Sequence, residues 1–479
     1  MTATALSAPA LREGHPLRWR ILAVILCVEV MDLLDGTIVN VALPTIRSDL
    51  HASLTALQWV AGGYALTFAV GLVTGGRLGD IFGRRRMFLL GVAGFTVASA
   101  LCGLAWSPGV LIGLRLVQGV FAASMIPQGF GIVKQVFPED EIGKAFGMFG
   151  PVIGGSAVLG PVIGGLLVDW DLLGTTWRLI FLINVPVGLA GLIGGLRLLP
   201  ESRAAVRPTL DLKGAALVSA GIGLLVYPLI QGRTLGWPAW TYAMLGAGVL
   251  LLAAFAVFEL RRERRGRSAL VTMSLFSRRA YSAGLVTILL FFAGMIGVMF
   301  TFSIYLQIGF GYSAIAAGLA FIPWSLGTAV GAGVGSGVFV PKFGRHALHG
   351  ALAVMAVGIA GMAAVVAHDS HHISILALAG PELVAGIGMG AGLAPLFSFI
   401  LAGVADDEVG SASGVLNAVQ QLAAALGIAL IGTLFFSVAA HHGLATAFGK
   451  ALWIEIASLA GCALFVLLLP MHPREGDAF

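Results

Sequence analysis

Three acidic residues lie in the first apolar stretch of the sequence, at Glu29, Asp32 and Asp35. Residues three apart on a helix are neighbours, with Cβ atoms about 5–6 Å apart, so a helix here places Asp32 between the other two on one face. Each ionised acid in the middle of a membrane costs about 2.5–3.5 kcal/mol, and such residues are functional by default. We expect the three to titrate as a coupled set and to exchange protons against a cationic or polar substrate, with Asp35 as the leading residue.

Arg115 is the basic residue that lies deepest in an apolar stretch. It lies about 9 Å from the outer end of its predicted helix, and Asp35 lies at a similar depth in the first helix. The two side chains are therefore predicted to share a polar network that takes part in proton coupling. The alternative for Arg115 and the acids is a static structural role, in which the charges only satisfy one another or nearby Ser and Thr hydroxyls.

Other polar and aromatic side chains in apolar stretches are candidates to line a central cavity, where rings add stacking surface for aromatic or cationic molecules. Together with Glu29 and Asp32, the predicted substrate-binding residues are Asn40, Tyr64, Gln128, Asn184, Tyr305, Gln307, Trp324, Asn417 and Gln421. Glu382 and Glu455 lie in the outer thirds of their stretches. Each either reaches an external vestibule or extends to the membrane interface, and neither is predicted as a primary site.

The composition indicates that this chain needs lipid around it. Of its 479 residues, 58% are hydrophobic and 11% are charged, whereas soluble domains carry about 25% charged residues. The net charge of +5 does not indicate nucleic-acid binding, because the basic residues lie in short connections between apolar runs. The three cysteines have no metal-ligand or disulfide spacing, and no GxxxxGK[ST] motif occurs. We therefore expect no metal, no cofactor, no direct use of ATP and no enzymatic activity.

A membrane span needs about 20 mostly apolar residues, and the sequence contains fourteen such stretches. They cover residues 19–41, 57–76, 87–106, 109–134, 146–168, 178–199, 212–230, 239–260, 280–306, 313–340, 348–367, 376–403, 411–437 and 449–470. With the N-terminus inside, 23 of the 28 Lys and Arg residues fall in inner segments, four in outer segments and one, Arg115, within a span. Such a skew is typical of membrane topology, so we predict a multi-pass protein of the cell membrane with both termini cytoplasmic.

An internal repeat indicates two related halves. The segments Gly76–Arg86 and Gly337–Ala347 both contain Phe-Gly-Arg and follow the second and the tenth spans. The predicted fold is all-α and polytopic, with two six-helix halves and two extra central helices. The predicted domains are an N-terminal half at 1–200, a linker with two additional spans at 201–265, and a C-terminal half at 266–479.

Two glycine-rich segments are predicted to take part in gating. Acidic and basic side chains in the first loop can latch the two halves on the inner side, although the arginines alone would also hold this loop inside. Paired Gly and Pro in the fifth span provide a smooth, kinkable surface for close helix packing. The predicted gating residues are Gly76, Gly79, Asp80, Gly83, Arg84 and Arg85 in the loop and Gly160, Pro161, Gly164 and Gly165 in the fifth span.

These segments, in this order, resemble the major facilitator superfamily and specifically its fourteen-helix drug:proton antiporter branch. The loop Gly76–Arg86 resembles the family's signature loop, and Leu34–Pro44 resembles the first-helix motif of the branch. Arg115 with Gln118 and Gly119 is similar to the fourth-helix motif, and Gly160–Gly165 to the motif typical of exporters. The resemblance covers residues 19–470. The thirteenth span lacks the acid that some relatives exporting dicationic drugs carry there.

The resemblance implies a proton-coupled antiporter that exports small amphipathic molecules (drugs, antiseptics or natural-product antibiotics) by alternating access. Its expected partners are a small-molecule substrate, protons and the lipid bilayer, and it is expected to be a monomer. Two alternatives stay open. One is a proton-coupled uptake symporter or facilitator on the same fold, which vesicle orientation would distinguish. The other is a membrane sensor that transports nothing and would tolerate a neutral residue at Asp35.

Overall fold

The computed structural model describes residues 14–138, 141–142, 144–145, 148–171, 174–201, 211–265, 270–368, 373–402, 404 and 409–472. Over these residues the regular structure is helical, without strands. Helices suit such apolar segments because in lipid each backbone N–H and C=O must find its partner inside the protein.

The first six long helices form the N-terminal half. They are α1 Arg18–Leu50, α2 Leu54–Phe82, α3 Arg84–Gly103, α4 Pro108–Val136, α5 Phe149–Trp170 and α6 Thr176–Leu198. Ser53 and Ser107 begin α2 and α4 by accepting hydrogen bonds from backbone N–H groups in the first turn. α2 bends by 49° between Leu72 and Thr74, next to the glycines that allow it to approach α4 closely.

The remaining helices are two inserted ones and six that form the C-terminal half. They are α7 Leu212–Leu235, α8 Ala239–Arg264, α9 Arg279–Gly309, α10 Ala314–Phe343, α11 His346–His368 and α12 Ile375–Leu401. The last stretch, Val409–Val466, is broken at Gly443, whose φ of 82° and ψ of 166° are not helical. It therefore contains two helices, α13 at 409–442 and α14 at 444–466.

Each of these helices coincides with one predicted span. Among the described residues, ten helices are long and apolar enough to cross a membrane, or eleven if the bent α2 counts as one. The difference from fourteen has physical reasons. Three acids interrupt the apolar run of α1. In α5, only the short segment Leu159–Trp170 is apolar enough, and α13 and α14 are counted as one helix. The all-α fold is confirmed, and the prediction of fourteen spans is compatible with it.

The repeated Phe-Gly-Arg segment has the same place in both halves. Gly83 and Gly344 follow the second helix of their halves, and both have positive φ, 103° and 54°, which favours glycine. An arginine just after each turn then hydrogen-bonds the end of the last helix of its half. Arg85 donates to Leu196 O at 2.7 Å, and Arg345 donates to Leu467 O at 2.9 Å. In each half, an arginine after the second helix thus joins this loop to the end of the last helix.

The inserted pair α7 and α8 lies beside the two halves. α7 packs against both α2 and α13, with Val226 and Ile230 wholly buried there, whereas only 11% of the most apolar window of α8 is buried. α8 therefore presents most of its surface to lipid. The domain limits predicted beside residues 201 and 265 adjoin 202–210 and 266–269, which lie outside the described residues, and the three-part division stays a prediction.

A buried carboxylate anchors the segment that leads from α8 into the C-terminal half. Glu259, near the end of α8, is wholly buried and accepts hydrogen bonds from the backbone N–H groups of Leu270 and Val271. Next to it, Arg262 forms an ion pair with Asp211 at 3.2 Å, at the start of α7. Both inserted helices and the chain that follows them are joined at this point.

We expect Glu259→Ala to lower the stability of the purified protein. It leaves two buried N–H groups without an acceptor, which costs about 1–3 kcal/mol for each group left unpaired. Glu259→Gln keeps an acceptor oxygen and serves as the matched variant, with a smaller loss. Thermal unfolding in detergent measures both, and an equal loss in the two variants would contradict the anchoring role of the carboxylate oxygen.

Candidate functional site

The centre of the N-terminal half contains a buried ion pair between α1 and α4. Arg115 of α4 donates from Nη1 to Oδ2 of Asp35 in α1, and their side chains are 1% and 0% exposed. The same guanidinium donates to Val60 O in α2 at 3.1 Å and to Oε1 of Gln118 at 2.7 Å. The predicted meeting of Asp35 and Arg115 is therefore what the structure contains.

The second carboxylate oxygen of Asp35 is also fully used. Oδ1 accepts from Nε2 of Gln118 at 2.9 Å and from Nδ2 of Asn184 at 2.8 Å. Asn184, in α6, also donates to the hydroxyl of Ser99 in α3 at 2.9 Å, and Ser99 donates to Phe181 O. Three donors, one of them the cation Arg115, thus surround one carboxylate. Asp35 is thus the buried counter-ion of Arg115, and its two oxygens accept all three of these hydrogen bonds.

Tyr64 of α2 connects the ion pair to the next acid of α1. Its hydroxyl donates to Oδ1 of Asp32, while its ring lies 4.3 Å from Cζ of Arg115 in a cation–π contact. Asp32 is almost wholly buried. Two side chains, Arg115 and Tyr64, therefore connect Asp35 to Asp32.

Glu29 lies one helical turn before Asp32, towards the predicted inner side. It is 8% exposed, and no hydrogen bond to its carboxyl is found among the described residues. The three acids of α1 thus form a graded series. Asp35 has a full set of partners, Asp32 has the Tyr64 hydroxyl, and Glu29 has no hydrogen-bond partner among the described residues.

The two halves contact each other near the ends of helices that the sequence places on the outer side. Gly165 of α5 lies against the backbone of Ala314 in α10, and Gly318 of α10 lies against the backbone of Pro161 in α5, so closely that neither position leaves room for a side chain. The backbone N–H of Ile315 donates to Asp169 at 2.9 Å.

On the other side of Gly165, the predicted gating residues Gly160 and Gly164 lie against α1, at Thr37 and Ile38. The glycines of α5 therefore face two helices, one in each half. This is the close packing that the sequence predicts for them, and their role in gating stays a prediction.

Two further contacts join the halves at the same level. Ser303 of α9 donates to Asn40 O in α1 at 2.9 Å, and Gln307 donates to Val41 O at 2.8 Å. Between α2 and α13, Nε2 of Gln58 donates to Ile428 O and to the hydroxyl of Thr433, each at 3.1 Å. Asn40 and Gln307 are thus brought together at an interface between the halves.

The inner loop after α2 makes its described contacts within the N-terminal half. Asp80 pairs with Arg84 at 3.1 Å, and Arg84 also donates to Gly131 O in α4 at 2.8 Å. Gly79 lies directly against the side chain of Gln128, where a Cβ would not fit. These contacts fix the loop on α4, and the predicted latch across the two halves stays a prediction.

A neighbouring pair on the same side joins α1 to the turn before α5. Arg18 donates to Glu141 at 2.6 Å and 2.9 Å. These hydrogen bonds hold the pKa of Glu141 below its ordinary value, so the pair stays ionised at neutral pH.

Several predicted cavity residues lie instead in packing contacts. Gln128 is buried between α4 and α2 and donates to Gly75 O at 2.7 Å, because the glycines of α2 leave a gap for its amide. Tyr305 stacks on Phe448 with ring centroids 4.6 Å apart, and the indole N–H of Trp324 donates to the sulfur of Met389 at 3.1 Å. Both rings belong to the interior of the C-terminal half. Asn417 and Gln421 are half-buried on α13.

Two members of the network are missing from the predicted site residues. Gln118 lies three residues after Arg115, on the same helix face, and that spacing is a signal that could have found it. Ser99 carries no comparable signal, since serine in an apolar helix is common and its partner, Asn184, lies 85 residues away. Glu382 and Glu455 do not extend to the membrane interface, since the structure buries both almost completely.

A bundle of apolar helices built from two similar halves, with ionised groups enclosed in its interior, has the architecture of a secondary transporter. Sequence comparison gives the particular family: residues 25–218 and 212–428 match the Major Facilitator Superfamily. The chain belongs to this family of membrane transporters, which confirms the resemblance found in the motifs.

Curated relatives include proteins of antibiotic export and resistance. A probable actinorhodin transporter of Streptomyces coelicolor is 49% identical over 88% of this chain and 73% of its own length. The puromycin resistance protein of Streptomyces alboniger is 36% identical, over 90% of this chain and 85% of its own. The tetracenomycin C resistance and export protein of Streptomyces glaucescens is 36% identical, over 89% and 77%.

Solved structures support the fold. A D-xylose–proton symporter superposes with a TM-score of 0.64 at 18% identity, covering 96% of this chain and 99% of that one. An auto-inhibited peptide transporter of the POT family gives a TM-score of 0.68 at 16% identity, covering 94% and 96%. At such identities the similarity establishes the helix arrangement alone.

We expect Arg115→Met to destabilise the purified protein by about 3–5 kcal/mol, because it leaves the carboxylate of Asp35 buried without its cation. The double variant Asp35→Asn with Arg115→Met should recover most of this loss, since it removes both charges. Thermal unfolding in detergent measures the set of variants.

The matched control for this experiment is Arg178→Met. It breaks the ion pair with Asp49, whose side chains are 27% and 39% exposed, and should cost at most about 1 kcal/mol. A double variant as unstable as Arg115→Met alone would show that the charge pair is not what makes the guanidinium necessary.

Proposed function

We propose that this chain is a proton-coupled antiporter that exports small amphipathic molecules of the antibiotic or drug type across the cell membrane by alternating access. It needs no cofactor, because the proton gradient supplies the energy. The proposal places both termini in the cytoplasm, as the distribution of basic residues predicts. It gives the proton-coupling role to Asp35, Arg115, Asp32 and Glu29.

The observation that carries this proposal is the environment of Asp35. Its carboxylate is wholly buried and bound by Arg115 and Gln118 of α4 and by Asn184 of α6. A proton that reaches Asp35 neutralises it and releases the guanidinium, which then has to reorganise its contacts with Val60 and Tyr64. Proton binding and rearrangement of α1, α2 and α4 are therefore coupled, which is what a proton-driven carrier requires.

The contacts between the halves support alternating access. With the predicted orientation, α5–α10, α1–α9 and α2–α13 all meet on the outer side, so the described conformation is closed to the outside. The ion pair of Asp35 with Arg115 fits a carrier that has released its proton inward. Asp32 and Glu29, which lie further inward on the same helix face, are the acids placed to exchange a proton for substrate.

The relatives support export as the direction of transport. An antibiotic resistance protein and a resistance and export protein are each 36% identical over most of the chain, and a probable actinorhodin transporter is 49% identical. The symporter among the solved structures is only 18% identical and shares the fold. Export is accordingly the better-supported direction. Uptake on the same fold is distinguished by the orientation of the vesicles.

The transport test uses inside-out vesicles with an acidified interior and a panel of antibiotics and cationic dyes. A transported compound should dissipate the pH gradient in the wild type, and Asp35→Asn should abolish this response. Asp49→Asn is the matched control, because Asp49 lies in the same helix outside the network and pairs with Arg178. Equal responses in the wild type and Asp35→Asn would remove Asp35 from the coupling path. Accumulation with the opposite gradient would indicate uptake.

The conformational test measures the distance between the outer ends of the halves by pulsed electron paramagnetic resonance. Spin labels at Ser48→Cys and Leu376→Cys report it, since Ser48 is exposed and Leu376 is 84% exposed. Cys27 is replaced by alanine in all variants, whereas Cys102 and Cys462 are wholly buried and are kept.

We expect Gly318→Val to increase the population with the longer outer distance. The added side chain meets the backbone of Pro161 and separates α5 from α10. Gly333→Val is the matched control in the same helix, because a Cβ there has open space, and it should leave the distance distribution unchanged. Identical distributions for the two variants would contradict outer closure by the α5–α10 contact.

A further inference from the structure

The C-terminal half contains a buried acid that is not part of the network around Asp35 and Arg115. Glu455 of α14 is 0% exposed, and neither of its carboxyl oxygens has a hydrogen-bond partner among the described residues. The carboxyl lies directly against Gly294 of α9, in the space that any larger side chain at that position would fill. A buried ionised carboxylate requires a cation or donors, so the surroundings of Glu455 accept the neutral, protonated form.

Glu455 lies at the position in its half that corresponds to Asn184 in the other. Asn184 lies twelve residues before Leu196 O, which accepts from Arg85, and Glu455 lies twelve residues before Leu467 O, one of the two carbonyls that accept from Arg345. The two residues therefore have equivalent places in the last helix of their halves.

The helix facing each of them corresponds as well. In the N-terminal half, α6 contacts α1 at Asn184 with Asp35 and, seven residues further along each helix, at Gly191 with Val28. In the C-terminal half, α14 contacts α9 at Glu455 with Gly294 and, again seven residues on, at Cys462 with Thr287. The residue numbers of the two pairs of contacts therefore differ between the halves by one constant value for the first helix and by another for the last helix. Gly294 is thus the counterpart of Asp35.

The buried acid consequently lies on different helices in the two halves. The N-terminal half has an acid on its first helix and an amide on its last, whereas the C-terminal half has glycine on its first helix and an acid on its last. The environment differs in one respect: no described cation faces Glu455. The titratable groups on the helices around it lie towards the helix ends, apart from Cys462 one contact further inward: Arg279, Tyr281 and Tyr305 on α9, His346, His349 and His368 on α11, and Lys450 and Cys462 on α14.

We propose that Glu455 is a second proton-binding residue of the carrier, protonated when the outer side is closed and ionised when the outer side opens. This inference rests on the proposed alternating access. It gives the C-terminal half its own proton site at the mirror position of the Asp35 site. As the outer side closes, a proton from outer water binds to a carboxylate oxygen of Glu455, and it returns to outer water on opening, so this site adds no net proton transport.

The position of α9 explains how the movement of the halves reaches this site. α9 contacts α1 of the other half through Ser303 and Gln307 near its outer end, and Gly294 lies further inward on the same helix. When the outer contacts separate, α9 loses these two hydrogen bonds and the outer part of the bundle gains water. Water then reaches the level of Glu455 and can stabilise its carboxylate.

The test measures how the outer distance depends on pH. The closed state binds one proton more than the open state, so raising the pH favours the open state, by about tenfold in the open-to-closed ratio per pH unit. The measurement uses the spin-label pair at positions 48 and 376 in nanodiscs between about pH 5.5 and 7.5, a range that starts above the ordinary pKa of a carboxyl. All variants carry Asp35→Asn with Arg115→Met, so Asp35 contributes nothing to the titration and no buried charge of the pair is left without its partner.

We expect Glu455→Gln in this background to remain closed across the range. Its open-to-closed ratio should lose the dependence of about tenfold per pH unit. Glu382→Gln is the matched control, because Glu382 is also buried and unpartnered among the described residues, yet its neighbours on α12 pack within the C-terminal half, Leu383 against Gly327 and Pro381 against Gly361. It should keep the full pH dependence. The closed-state distance at low pH confirms that each variant is folded.

Two results would overturn the proposal. One is an unchanged pH dependence in Glu455→Gln, and the other is an equal loss in Glu382→Gln, which would assign the effect to buried carboxyls in general. The Gly318→Val variant separates this failure from that of alternating access. If Gly318→Val lengthens the outer distance while Glu455→Gln changes nothing, only the second proton site is wrong. If Gly318→Val has no effect either, alternating access fails and this inference fails with it.

Discussion

The ion pair of Asp35 and Arg115 is the interaction on which the N-terminal half depends. Two charges in an apolar bundle are tolerated only if each has its counter-ion and its remaining hydrogen-bonding capacity is used. Meeting this requirement takes side chains from α1, α3, α4 and α6 and a backbone carbonyl of α2. Five helices are thus packed together around one carboxylate. For the same reason, a change in the charge of that carboxylate cannot remain local.

A second constraint acts where the halves meet. Helices that must separate and close again are better joined by backbone contacts and a few hydrogen bonds than by interlocked side chains, because interlocked side chains have to repack each time. Gly165 and Gly318 leave flat surfaces at the α5–α10 contact, and the bonds of Ser303 and Gln307 end on backbone carbonyls. A contact of this kind is specific in its position and inexpensive to break. That combination suits two states of similar free energy.

The sequence predicted the helices, the family and the pairing of Asp35 with Arg115, because each has a strong local signal. An apolar run of span length, a skew of basic residues and a charge deep in a helix all cost free energy unless they have a structural reason. The surroundings of Asp35 were less predictable. Asn184 was expected in the cavity and lies in the network, and Ser99 had no signal, because both depend on how distant helices rotate about their axes.

The cavity residues were the weakest part of the prediction for a similar reason. Gln128, Tyr305 and Trp324 are amphipathic side chains, which satisfy their polar atoms equally well in packing contacts or in an open cavity. In this chain Gln128 and Trp324 find partners inside their own half, Gly75 O and the sulfur of Met389. No pattern in the sequence distinguishes these two outcomes, since the choice is made by neighbouring glycines and by gaps between helices.

The paired contacts of Arg85 with Leu196 and of Arg345 with Leu467 have a consequence for the evolution of the chain. Each half is closed by its own loop arginine, so neither relies on the connecting segment to hold its six helices together. The length and content of that segment are therefore free to change without disturbing either half. An ancestral gene could have gained α7 and α8 between the halves by insertion, since the added pair needed only a lipid-facing surface and a place beside α2 and α13.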